Sequence, residues 1–315
     1  MNLRTRKILL AFVVWFWAAD LWAEGFRAKN VVILVIDGPR YSETWGEPKK
    51  KYIPHLAKDL APLGVVYPNF RNEGPTYTNA GHSAMTTGFY QEIENSKGEQ
   101  LPNHPGLFQR FLKAAGLPAS SVWVVTSKDK LQILVDCEDK KWKGKYRAST
   151  DCGPGGKGPG TGYREDKETF HALKRVLREH HPRLLLANLK GPDSMGHANN
   201  WKGYLAAIRE TDGMAWDVWK LLQSDPFYRG QTAFFITNDH GRHPDGYLDG
   251  FISHGCSCEG CRRILLFAVG PDFKKGVVIE KKREQIDLAV TAAKILGFSI
   301  PGSKGRVMTE LFVSP

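Results

Sequence analysis

"NVVILVIDG", residues 30–38, sets the architecture. Six consecutive valine, isoleucine and leucine residues leave no side for water, so the segment is neither a half-solvated strand nor an amphipathic helix. It predicts a strand buried on both faces, as in a parallel sheet, that ends on the carboxylate of Asp37. Similar runs recur at "GVVYPNF" (64–70), "SVWVVTS" (121–127), "RLLLANL" (183–189), "TAFFITND" (232–239) and "RILLFAVG" (263–270). Between them lie segments with helical apolar spacing: "IPHLAKDLA" (53–61), "HPGLFQRFLKAAG" (104–116), "DKETFHALKRVLREH" (166–180), "YLAAIRETDGMAWDVWKLLQ" (204–223) and "REQIDLAVTAAKILG" (283–297). Gly116 and Gly297 stand where two of these helices should stop. Alternating strands and helices predict an α/β fold with a mostly parallel central sheet flanked by helices.

Residues 138–166 break this rhythm. "EDKKWKGKYRASTDCGPGGKGPGTGYRED" is rich in Gly and Lys without an apolar period, and reads as a loop or small cap insertion. No repeat and no clean boundary divides the rest, so residues 24–315 are expected to form a single catalytic domain. Residues 1–23 differ: Arg4, Arg6 and Lys7 precede an apolar run from Ile8 to Ala19, with small residues near Ala23. That is the pattern of a secretory signal peptide, and the run is short for a membrane span. Export to the periplasm or outside the cell is expected, with an uncleaved anchor as the alternative.

With 42% apolar and 24% charged residues the chain is neither disordered nor a multi-span membrane protein. A net charge of +11 suits nucleic acid, anionic lipid or a negatively charged small substrate. No segment interleaves dense Lys/Arg with aromatics, so nucleic acid is not the expected partner. No membrane contact is expected beyond the leader, and the oligomeric state is not legible. The five cysteines are Cys137, Cys152, Cys256, Cys258 and Cys261. In an exported protein disulfides are expected: Cys137–Cys152 could close one loop, and two of the three in "HGCSCEGC" (254–261) another. A structural zinc is the rival at that cluster, but it needs four ligands and no obvious fourth is present.

In α/β sheets ligands bind beyond the carboxyl ends of the strands. There the sequence places Asp37, then Asp193 and His197 in "LLLANLKGPDSMGH", then Asp239 and His240 in "TAFFITNDHG". His254 precedes a further strand. Each alone has an ordinary explanation as a cap, turn or loop residue. Together, three carboxylates and three imidazoles match the donor preference of a zinc-type divalent metal, with enough ligands for two ions. His243, close behind the Asp239–His240 pair, reads as a residue supporting it. "GPTYTNAGHSAMTTG" (74–88) supplies Thr78 where the loop after the second strand turns into a helix. Thr78 could be a metal-activated nucleophile or a helix N-cap.

These residues resemble the alkaline phosphatase superfamily, in particular its nucleotide pyrophosphatase/phosphodiesterase-like, Thr-nucleophile branches. The order agrees: a strand ending in Asp37, Pro75-Thr76-Tyr77-Thr78, Asp193-x-x-Gly196-His197, Asp239-His240-Gly241, then His254. Gly81-His82 and Thr87-Gly88 fall at the family's spacing after Thr78. The resemblance implies one metal on Asp37, Thr78, Asp239 and His240 and another on Asp193, His197 and His254, both zinc. It implies an in-line attack by Thr78, a phospho-threonine intermediate, and Asn79 as a holder of a phosphoryl oxygen.

The resemblance also narrows the ester. A sulfatase's Cys/Ser-x-Pro-x-Arg motif has only "CGPGG" at Cys152 as a near match, without the arginine. Phosphoglycerate mutases use serine, and phosphoethanolamine transferases carry several membrane spans. "VVTSKDKLQIL" (124–134) resembles the Lys-Asp-Arg segment of the Thr-nucleophile phosphatases, with Lys128 and Lys130 as substrate-binding cations. A solvated turn is the plainer reading of those two lysines. The expectation is an exported two-metal phosphomonoesterase acting on a small phosphate ester. A phosphodiesterase or nucleotide pyrophosphatase is the alternative, and a metal-binding pseudoenzyme the alternative of another class.

Overall fold

The computed structural model describes residues 25–313, so the expected leader lies outside the described residues. The strands are β1 (Asn30–Ile36), β2 (Val65–Arg71), β3 (Val122–Thr126), β4 (Ser149–Cys152), β5 (Leu184–Leu189), β6 (Thr232–Thr237), β7 (Arg263–Val269), β8 (Val277–Val278) and β9 (Arg283–Glu284). They form one sheet in the order β4-β3-β5-β1-β6-β7-β2-β8, with β9 also paired to β2. β1 lies in the middle, Val32 opposite Leu185 of β5 and Phe234 of β6. Every pairing is parallel except those of β7, which runs antiparallel to both β6 and β2.

The helices are α1 (Thr78–Thr87), α2 (Leu107–Ala115), α3 (Asp166–His180), α4 (Gly191–His197), α5 (Trp201–Ser224), α6 (Glu259–Arg262) and α7 (Gln285–Ile295). They cover both faces of the sheet, and β1 shows why its sequence is apolar throughout. Val31, Ile33 and Val35 enter one core, with Met85 of α1, Phe108 of α2 and Leu288 of α7. Val32, Leu34 and Ile36 enter the other, with Leu173 of α3 and Ile208 and Leu222 of α5. Successive side chains of a strand point to opposite faces, so two buried faces require an unbroken apolar run.

Three expectations are corrected. Residues 53–61 are helical as expected, but as a π turn over Leu56–Leu60 that continues into a 3-10 turn over Ala61–Leu63, in place of a regular α-helix. The Asp212 carboxylate of α5 accepts from the backbone amides of His55 and Leu56 and anchors this turn. Residues 138–166 are not all loop or cap, because they contain β4, the edge strand paired with β3. Its polarity comes from Asp151, which is buried against Arg164 at 2.5 Å and meets Arg175 at 2.6 Å. Charge pairing, not apolar periodicity, holds that edge. Finally, all five cysteines are unbonded. Cys137 and Cys152 are each buried, and the Cys152 thiol faces the carbonyl of Val124 at 3.6 Å. Among the described residues no helix is long and apolar enough to cross a membrane.

Candidate active site

The parallel strands β1, β5 and β6 deliver their carboxyl ends to one rim. Asp37 follows β1, Asp239 and His240 follow β6, and Asp193 and His197 lie on α4 just after β5. Because β7 is reversed, its amino end reaches the same rim. His254, which precedes β7, therefore joins residues that follow the other strands.

Two donor groups form there. In one, Nε2 of His240 is 3.4 Å from Oδ1 of Asp37 and 3.3 Å from Oδ2 of Asp239. These three atoms are buried and none has a hydrogen-bond partner. In the other, Nε2 of His197 and of His254 lie 3.3 and 3.4 Å from Oδ1 of Asp193 and 3.1 Å from each other. The groups Asp37–Asp193–His240 and Asp193–His197–His254 each present converging donor atoms suited to a metal ion. Buried polar atoms are costly to leave unpaired. Orphaned carboxylate and imidazole lone pairs aimed at one another fit divalent cations.

Neighbouring groups fix these donors. His240 and His254 use Nδ1 against the carbonyls of Gly241 (2.9 Å) and Thr76 (2.8 Å), which leaves the Nε2 lone pairs facing the centre. Burial and the nearby charge of His240 push His254 down to about 4, so its imidazole is neutral. Oδ1 of Asp239 accepts from the amides of Gly38 and His240. Arg242 is fully buried; it donates to Oδ1 of Asp193 at 2.5 Å and to the carbonyls of Phe251 and Ile252. Gly196 explains itself through Arg242: a Cβ there would lie 2.5 Å from the guanidinium carbon.

Thr78 is the first residue of α1, after the N-cap Tyr77, and no side-chain capping bond is made. Its hydroxyl instead accepts from Nζ of Lys128 at 3.0 Å. The same ammonium lies 2.9 Å from Oδ2 of Asp37 and 2.7 Å from Oδ2 of Asp193, linking the two donor groups to Thr78. Burial alone would lower the Lys128 pKa, but Asp193 and Asp37 hold it above its ordinary value. Burial would raise Asp37; Lys128 and His240 outweigh it and keep the carboxyl well below its usual range. The plain readings of Thr78 as an N-cap and Lys128 as a solvated turn both fail.

The remaining candidates sit beside this centre. Lys130 is buried and donates to Oδ1 of Asn95 at 2.8 Å. Burial, and then the charge of Lys128, pushes it down to about 8. Asn79 is turned away: its amide donates to the carbonyl of Glu94, and its backbone N–H to Asn95. His82 holds the Thr78 carbonyl through Nδ1 (2.9 Å) and meets Nδ2 of Asn188 at 3.2 Å. Asn188 also donates to Asp37. Asn188, Arg242 and Asn95 were not legible as site residues, since they carry no spacing signal and act by orienting others. His243 does not back the Asp239–His240 pair; it groups with Cys256, Cys258 and Cys261.

Comparison with known proteins agrees with this geometry. The family model described as Metalloenzyme superfamily matches residues 159–297, which include Asp193, His197, Asp239, His240 and His254. A phosphopentomutase of Pseudothermotoga lettingae is 25% identical over 126 residues, 40% of this chain and 29% of that protein. The chain thus aligns with less than a third of that relative's length. Among solved structures, a lipoteichoic acid synthase from Listeria monocytogenes superposes with a TM-score of 0.61 at 13% identity, over 91% of this chain and 76% of that one. A phosphonate monoester hydrolase from Silicibacter pomeroyi gives 0.62 at 14%, over 89% and 76%. Murine ectonucleotide pyrophosphatase/phosphodiesterase 5 gives 0.60 at 14%, over 90% and 100%. At such identities the structures share the fold. The mostly parallel α/β fold expected from the motifs is the one these structures share, and the family model matched over residues 159–297 is described as that of metalloenzymes.

Proposed function

We propose that this chain, a metalloenzyme of the alkaline phosphatase superfamily fold, is an exported phosphoric monoester hydrolase working through Thr78. The observation that carries the reading is the Thr78 hydroxyl. It is buried, unused as a helix cap, and held by Lys128 between two groups of metal-type donors. Asp37, Thr78, Asp239 and His240 would hold one ion, and Asp193, His197 and His254 the other, with zinc the ion their nitrogen and oxygen donors favour. Ions bound there supply Lewis-acid charge to a phosphoryl oxygen and to the attacking hydroxyl.

The chain's own residues do the rest. Thr78 Oγ1 attacks phosphorus as the bond to the leaving oxygen breaks, giving phospho-Thr78 and an alcohol. Water then attacks the same phosphorus, the Thr78 oxygen departs, and phosphate is released. Thr78 loses its proton in the first half and regains one in the second, so the net reaction consumes only ester and water. The Lys128 ammonium supplies positive charge where negative charge gathers on the phosphoryl oxygens. Lys130 adds a second cation, which favours a monoester with its extra negative charge. Asn79, bonded away towards Glu94 and Asn95, contributes by fixing the start of α1. Residues 1–23 support export.

A groove of about 550 Å³ beside Tyr77, lined also by Glu73, Tyr90, Gln91 and Arg262, favours a second reading. It offers room for a further ester group, as a phosphodiesterase needs. Hydrolysis of p-nitrophenyl phosphate, bis-p-nitrophenyl phosphate and p-nitrophenyl sulfate by zinc-loaded protein separates these readings. Monoester preference, with a phosphate adduct on the Thr78 peptide after acid quench, is expected. Diester preference would move the assignment to the phosphodiesterase branch. Metal binding without turnover on any of the three would favour a binding role.

A further inference from the structure

The "HGCSCEGC" segment lacked a fourth ligand in the sequence, and the fold supplies one. We propose that His243, Cys256, Cys258 and Cys261 form a third metal site, a structural Cys3His zinc centre outside the catalytic cluster. The four donor atoms all lie within 4.8 Å of one another. Sγ of Cys256 and of Cys261 are 3.8 Å apart. A tetrahedral zinc with bonds of about 2.3 Å separates its sulfurs by about 3.8 Å, whereas a disulfide requires about 2.05 Å. The spacing is that of two thiolates sharing an ion.

His243 is the second, independent observation. Its side chain is 5% exposed, and Nδ1 pairs with Oδ1 of Asp249 at 2.6 Å. Nε2 is buried and without a hydrogen-bond partner. A carboxylate behind a histidine is the usual means of orienting a ligating imidazole. The cysteines are similarly prepared. The backbone N–H of Cys258 donates to Sγ of Cys256, Cys258 is the N-cap of α6, and Cys261 is buried within that short helix.

The backbone explains how residues 13 apart converge. Gly241 and Gly260 pack directly on one another: a Cβ on Gly241 would lie 2.0 Å from the Gly260 carbonyl oxygen, and one on Gly260 would lie 2.4 Å from that of Arg242. The Gly241 amide donates to the carbonyl of Cys261, and that of His243 to Ser253. Only two bare backbones can approach this closely, and the approach brings His243 over the cysteine turn. The site also borders the catalytic residues. Asp239 and His240 lie just before Gly241, His254 just before Cys256, and the Thr76 hydroxyl donates to the Cys256 carbonyl. An ion here clamps the end of β6 to the start of β7 and so positions ligands drawn from both.

The centre contains thiolates and the catalytic groups do not, which gives a spectroscopic separation. The full chain is purified under reduction and loaded with cobalt(II). A near-ultraviolet sulfur-to-cobalt charge-transfer band is expected, retained in Asp37→Asn, lost in Cys256→Ser/Cys258→Ser, weakened in His243→Ala and restored in His243→Cys. Circular dichroism identifies any variant that fails to fold, and the His243 pair keeps the test decisive if the cysteine variant does. No band in cobalt-loaded protein with five titratable thiols would overturn the site. So would a band indifferent to His243, or a disulfide among residues 256–261 in protein alkylated without reduction. None of these outcomes depends on the hydrolase reading, because catalysis is not the readout.

Discussion

The rim of this sheet carries two kinds of metal-type cluster, and they are assembled in opposite ways. The Asp/His centre gathers Asp37, Thr78, Lys128, Asp193, Asp239 and His254 from more than two hundred residues of chain, the first five carried by different strand ends or helix starts and His254 by the loop before α6. The Cys/His centre lies within residues 243–261 and needs only one loop and one short turn. The first depends on the whole sheet for its geometry; the second can form locally and then hold the sheet's rim in place. Oxygen and nitrogen donors with an ammonium between them suit chemistry, while three thiolates and an imidazole fill a tetrahedron and leave no position for substrate.

The sharpest way to break this contrast is at Thr78. Thr78→Ala is expected to lower turnover about 1,000-fold or more while preserving the circular dichroism spectrum. Near-normal rates in that variant would remove the nucleophile and the active-site reading with it. Next is Gly196→Ala, whose added methyl meets the buried Arg242 and shifts its contact with Asp193. Turnover is expected to fall on the order of 100-fold, and an unchanged rate would mean that Arg242 does not position Asp193. Lys128→Met should lower monoester hydrolysis roughly 10-fold more than diester hydrolysis. Equal losses would make Lys128 a purely structural cation.

On the other side of the comparison, Cys261→Ser should act through stability. Loss of one thiolate ligand is expected to lower the midpoint of thermal unfolding by roughly 5–10 °C in zinc-replete buffer. An unchanged midpoint would remove the clamp. The smallest effect concerns Lys130, whose folded pKa is pushed down to about 8. Its cation is present below that pH and is lost as pH rises through it, so inhibition by inorganic phosphate should weaken several-fold above pH 8. Lys130→Arg keeps its charge and should flatten that profile.

Legibility followed the same division. β1, β2, β3, β5, β6 and β7, with α2, α3, α5 and α7, were readable because burial on a regular element imposes a period, whereas the two-residue strands β8 and β9 are too short to show one. The Asp/His donors were readable because strand ends are where α/β folds place ligands. β4 was not, since its edge position is held by Asp151, Arg164 and Arg175, and charge pairs leave no periodic trace. Arg242 and Asn188 were silent because a residue that orients another needs only proximity. His243 was seen but misassigned: its partners are brought to it by the contact between Gly241 and Gly260, and no spacing rule encodes a contact between two backbones. The disulfides expected from the cysteine count are not formed.

The double-sided burial of β1 has one more consequence, for alignment of the strand. When both faces are apolar, a slip by one residue exchanges Val31 with Val32 or Ile33 with Leu34 and costs little in hydrophobic terms. Hydrophobicity therefore does not determine where this strand stops; its polar ends do. At one end Asn30 donates to the carbonyl of Phe227, and at the other the Asp37 amide donates to Leu189 while its carboxylate meets Asn188 and Lys128. A slip inward would draw Asp37 into hydrocarbon without those partners, at a cost of several kcal/mol. The acid assigned to the chemistry is thus also the end-stop of the central strand, and selection on either property preserves the other.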